Sequence, residues 1–88
     1  QSQEVVEKEI AGYTIISDIL DVYIDALIGK RNNNASNYHK LILRTLPGFY
    51  QQTDASLYEI ILNTCCYVAS LSDSAAVHMH NKIKGKQL

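Results

Sequence analysis

An all-α fold, a small bundle of about four helices, is predicted by three observations. Apolar residues recur at steps of three and four along every long segment, and no strand-like alternation competes. Serine, asparagine, aspartate, glycine and the single proline gather between those segments, where helices begin and end. A length of 88 residues suits one helical unit whose neighbours are joined by short links.

The first segment predicts a helix over residues 4–28. Val6, Ile10, Tyr13, Ile16, Leu20, Tyr23, Ile24 and Leu27 form its expected inward face. Glu4 and Lys8 stand one turn apart, and the acids near the start suit the helix dipole. Gly12 costs such a helix about 1 kcal/mol relative to Ala, so it reads as a notch for another backbone. Gly29 is the expected stop.

A polar loop follows over residues 29–36. Ser36 or Asn37 can cap a second helix over 37–46, with Tyr38, Leu41, Ile42 and Leu46 inward. Pro47 and Gly48 end it, and Phe49 and Tyr50 are expected to dock on the core. The third helix, 54–71, takes Thr53 or Asp54 as cap and turns Leu57, Ile60, Ile61, Cys65, Val68 and Leu71 inward. Ser72-Asp73 is the expected break. A last helix over 73–84 buries Ala76, Met79 or His80, and Ile83; Gly85 ends it, and Lys86-Gln87-Leu88 reads as a frayed terminus.

Composition narrows the functions. With 47% hydrophobic and 19% charged residues the chain is not of the disordered class. Its length excludes a dinucleotide-binding fold, a TIM barrel or a two-lobed enzyme. A domain this small buries only about 60% of its unfolded surface, so its core is marginal unless a partner covers it. A start at Gln1 instead of Met is what an internal fragment has. The net charge of −1 argues against a stand-alone nucleic-acid binder. The charge is uneven: residues 1–28 hold six acids and one base, a net of −5, and residues 29–88 hold seven bases and three acids, a net of +4. Cys65 and Cys66 are adjacent, match no zinc or redox spacing, and are expected as small buried thiols. No apolar run approaches the roughly 18 residues of a membrane span and no signal peptide is apparent, which reads as a cytoplasmic chain without a membrane.

Few residues offer chemistry. His78 and His80 diverge by about 200° on a helix and cannot share an ion; His39 stands alone near a helix start. Asp18, Asp21 and Asp25 form an acidic stripe, expected to be solvated. Ser70, Ser72 and Ser74 lack a His–Asp partner at any useful spacing, and there is no phosphate-binding glycine loop. Lys40 and Arg44, one turn apart and close in sequence to Lys30 and Arg31, are candidates for contact with a phosphate or a neighbouring subunit. The six tyrosines fall largely at core spacing. No catalytic or metal-binding residue is expected within the chain.

Three stretches nevertheless resemble a known family. Tyr67-Val-Ala-Ser-Leu-Ser-Asp73-Ser-Ala-Ala76, continuing to Lys84-Gly85, resembles the closing segment of deoxynucleoside triphosphate triphosphohydrolases of the dGTPase type. Glu9-Ile-Ala-Gly12-Tyr-Thr-Ile-Ile16-Ser-Asp-Ile-Leu20 is similar to that family's Glu-x-x-Gly-x-x-Val-Ile-x-x-Leu-Leu helix, and Tyr38 to Pro47 to a helix closing on Leu-Pro. Tyr67, Ala69, Asp73 and Ala76 keep the pattern. Cys66, Ser70, Leu71 and Ser74-Ala75 depart from the family's Asp, Gly, Met and Arg-Tyr, which weakens any substrate or subunit contact inferred from those residues.

The resemblance implies that residues 1–88 are a single C-terminal helical segment of a larger HD-type enzyme. Such enzymes split a dNTP into deoxynucleoside and triphosphate, using a divalent metal such as Mg²⁺ or Mn²⁺ held by His…His-Asp…Asp in a helical core. That core is not in this chain, which has no His-Asp dipeptide. The segment would pack on the core through Gly12 and its apolar face and join in homo-oligomer contacts, being inactive alone. Two other readings are a free helical interaction or dimerisation module and a helix–turn–helix nucleic-acid binder at Leu46–Leu57.

Overall fold

A computed structural model describes residues 2–85, and the frayed terminus expected at residues 86–88 lies outside them. Four α-helices appear in order: α1 (Gln3–Arg31), α2 (Asn37–Arg44), α3 (Leu57–Ala69) and α4 (Asp73–Ile83), with a 3₁₀ turn at Gly48–Gln51 between α2 and α3. No strand occurs among the described residues.

Serine begins every helix. The hydroxyls of Ser2, Ser36, Ser56 and Ser72 accept the backbone N–H groups of Val5, His39, Glu59 and Ala75 at 3.1–3.3 Å. Each such cap is worth about 1 kcal/mol against Ala. At α2 the box is closed in both directions, because the Ser36 N–H donates to His39 Nδ1 at 3.1 Å. The third cap is therefore Ser56, not Thr53 or Asp54, and α3 starts three residues later than the sequence predicts. The break falls at residues 70–72, because α3 ends at Ala69, two residues before the expected Leu71, and α4 opens at Asp73 with Ser72 as its cap; α4 leaves α3 through a bend of 119°.

Gly29 does not stop α1. The helix runs through it to Arg31, is closed by the Asn32 N–H on the Ile28 carbonyl and the Asn33 N–H on the Lys30 carbonyl, and turns at Asn33 with φ of 54°. Gly29 serves packing instead: a Cβ there would stand 2.6 Å from His39 Nδ1. Gly12 is the reverse case, since among the described residues no atom outside its own stretch of helix comes within 4 Å of where its Cβ would be. Gly85 ends α4 with φ of +81°, the left-handed cap expected of it.

The core lies between the second half of α1 and the three shorter helices. Ile19, Tyr23, Ala26 and Leu27 of α1 meet Ile42, Leu43 and Leu46, Ile60 and Val68, and Ala76 and Ile83. Several expected inward residues face out instead: Ile10 is 62% and Tyr13 78% exposed, and Tyr38, Leu41, Leu57 and Cys65 are also exposed. For Ile10 and Tyr13 the reason is reach. α1 is about 43 Å long at 1.5 Å per residue, more than twice the length of any helix packed on it, so its first half overhangs the bundle. Tyr50 docks on the core as expected, but Phe49 is 65% exposed. Of the six tyrosines, only Tyr23 is fully buried.

Candidate functional site

Three polar clusters tie the helices to α1. At the first, Asp18 Oδ2 receives His80 Nε2 at 2.7 Å and Lys84 Nζ at 3.3 Å, joining α4 to α1. The hydrogen bond from His80, then that from Lys84, holds the Asp18 carboxyl below its usual range against a smaller desolvation effect. At the second, His39 Nε2 lies 2.9 Å from Asp25. Because Nδ1 accepts the Ser36 N–H, the neutral ring carries its proton on Nε2, facing the carboxylate. Asp18 is thus engaged and not simply solvated, Asp25 is paired but stays largely in water, and His39 does not stand alone as the sequence suggests. Asp21 is exposed.

The third cluster lies inside the bundle. The Tyr23 hydroxyl is 2.7 Å from Thr45 Oγ1 and 2.9 Å from Met79 Sδ. Thr45 gives its own proton to the Ile42 carbonyl at 2.6 Å, so the Tyr23 proton serves the other two acceptors. Burial pushes the Tyr23 phenol up to about 12, and burial raises Tyr67 as well. Tyr67 meets the Tyr23 ring edge-on at 6.1 Å and the Tyr50 ring at 4.9 Å. These arrangements fasten helices. Neither paired imidazole is hydrogen-bonded to a side-chain hydroxyl or thiol, as a nucleophile pair requires.

The motif residues distribute unevenly. Gly12, Asp73 and Ala76 come together at a groove of about 560 Å³ between the first half of α1 and the start of α4, with Ile15, Ile16 and Val77 as its apolar walls. Glu9 is exposed on α1, Ala69 is exposed at the end of α3, and Tyr67 packs inward. Lys40 and Arg44 are both exposed on α2. Their expected neighbour Lys30 donates to the Gln51 carbonyl at 2.7 Å. Cys65 and Cys66 are exposed, a correction to their reading as buried thiols.

No group of three or more His, Cys, Asp or Glu side chains converges among the described residues, and His39 and His80 are each committed to an aspartate. No single helix among the described residues is long and apolar enough to cross a membrane; α3 and α4 reach that length and apolarity only as a pair, across their bend. Compared with known proteins, the chain matches no family model, no curated protein and no solved structure.

Proposed function

We propose that the chain is the C-terminal helical portion of a larger dNTP triphosphohydrolase of the dGTPase type, where it packs on the catalytic HD core and takes part in subunit assembly. The observation that carries the docking is α3. Its inward side is Ile60, Thr64 and Val68, and its outward side, Glu59 apart, is apolar: Leu57, Tyr58, Leu62, Cys65, Cys66 and Ala69. A helix on the surface of a finished domain is polar on its outer side; one apolar all round belongs inside a larger protein. Tyr58 is 74% and Leu62 47% exposed, an apolar face that a catalytic core would cover.

The enzymatic part of the reading rests on the resemblance of the first helix and the closing segment, whose Gly12, Asp73 and Ala76 share one groove. The parent would be cytoplasmic and homo-oligomeric, act on dNTP, and hold Mg²⁺ or Mn²⁺ in its HD core. This segment would supply no catalytic group. Lys40 and Arg44 remain its candidates for phosphate or neighbour-subunit contact.

Tyr58→Lys combined with Leu62→Asp tests the docking. In the free chain both side chains are exposed, so the pair should change stability by no more than about 0.5 kcal/mol per site. In the parent the same pair should lower the melting temperature and break up the assembly. A parent that melts and assembles unchanged would sink the docking reading.

A further inference from the structure

The capping box that opens α2 has a titratable member. Its third helical position is ordinarily Glu or Gln, whose reach back to the cap N–H does not change near neutral pH. In Ser36-Asn-Tyr-His39 an imidazole fills that place, and its Nδ1 accepts the Ser36 N–H at 3.1 Å. Imidazole is the side chain that ordinarily changes charge between pH 5 and 8.

The ring is held on both edges. Nε2 faces Asp25 Oδ2 at 2.9 Å, and the other edge lies on Gly29, where a Cβ would stand 2.6 Å from Nδ1. A proton added to the neutral ring goes to Nδ1, where it meets the Ser36 N–H donor against donor. The charges around the ring divide. The Asp25 carboxylate on α1 favours an imidazolium, but that side chain is 74% exposed and its pull is screened. The positive end of the α2 dipole opposes one. Gly29 on α1 and Ala35 and Ser36 in the loop are uncharged. The bases nearest in sequence, Lys40 on α2 and Lys30 and Arg31 on α1, add to the opposition, with Lys30 turned to the Gln51 carbonyl.

We propose that His39 makes the α1–α2 junction a pH-sensitive latch. On protonation the ring gives up the Ser36 N–H and leaves its seat on Gly29, which loosens the first turn of α2 and the loop over residues 32–36. The box is closed while the ring is neutral, and its contribution is lost as pH falls through the range in which the ring takes its proton. The opening is about fivefold, the worth of one net hydrogen bond. The latch acts whatever chemistry the parent performs.

Amide hydrogen exchange of this chain, corrected for the intrinsic pH dependence of exchange, reads the latch at two groups. These are the His39 and Lys40 N–H groups, which bond to the Ser36 hydroxyl and carbonyl. Their protection should fall about fivefold between pH 8 and pH 5. His39→Gln keeps a side chain able to close the box but removes the imidazole, so its protection should be the same at both pH values. His80→Gln should leave the fall in place. At pH 8, nitrogen NMR of the His39 ring should show Nδ1 bare and the proton on Nε2. Constant protection in the unaltered chain would overturn the proposal, as would the opposite tautomer. An equal fall in His39→Gln would overturn it too, because the response would then belong to another group.

Discussion

Gly29→Ala sets helix propensity against packing, and the structure decides the sign. Propensity favours alanine by up to about 1 kcal/mol at a helical position, and Gly29 lies inside α1. The new Cβ, however, would stand 2.6 Å from His39 Nδ1 and 3.0 Å from Cε1. The imidazole cannot move aside without loss, because Nδ1 holds the Ser36 N–H and Nε2 holds Asp25. Giving up both bonds costs about 2 kcal/mol, with the Asp25 share small because that carboxylate is mostly in water. The net expectation is a destabilisation of about 1 kcal/mol. In a His39→Ala background the obstacle is gone, and Gly29→Ala should instead stabilise by up to about 1 kcal/mol. Urea denaturation of the four chains closes a double-mutant cycle with a coupling of about 2 kcal/mol. If Gly29→Ala stabilises the otherwise unaltered chain, the packing argument is wrong.

Other outcomes follow from the same contacts. Asp18 has its carboxyl lowered by His80 and Lys84, so its contribution is present above the unfolded value of 3.8 and is lost as pH falls through the lower, folded one. Asp18→Asn should remove that acid-side slope from a plot of stability against pH; an unchanged slope would show that the pair contributes nothing. Tyr23→Phe should cost about 1–2 kcal/mol by leaving Thr45 Oγ1 and Met79 Sδ without a donor, measurable as a lower urea midpoint. Ile42→Ala, at a fully buried site, should cost about 2–5 kcal/mol and unfold much of a chain this small. Lys40→Ala with Arg44→Ala should leave the free chain folded and, in the parent, weaken nucleotide affinity or oligomer formation; kinetics and size both unchanged would remove these residues from any contact role.

Much of the fold is legible in the sequence because its punctuation is local. Ser36 and Ser72 cap where they stand, Gly85 ends α4 with its positive φ, and Pro47 stands two residues past the α2 cap at Thr45, where a helix does not continue, although α2 closes two residues before the expected Leu46. Gly29 misleads because a glycine that makes room for a side chain looks, in sequence, like a glycine that ends a helix. The inward face of α1 is obscured for another reason. Ile10, Tyr13 and Leu20 satisfy helical spacing as well as Ile19, Tyr23 and Leu27 do, so periodicity cannot choose between two apolar sides. The polar ties were beyond reach: His80 meets Asp18 across 62 positions, and no spacing rule links them. Cys65 and Cys66 are exposed because they fall on the outer face of α3, and residue type alone does not say which face of a helix is inward.

The proposed role, that of a segment serving a dNTP triphosphohydrolase whose chemistry lies elsewhere in the parent, is tested most directly by that chemistry. The direct measurement incubates the complete parent and this chain separately with dGTP and Mg²⁺ or Mn²⁺ and assays for deoxyguanosine and inorganic triphosphate. Triphosphate from the parent and none from the chain is the predicted result. No triphosphate from the parent with any of the four dNTPs would contradict the account.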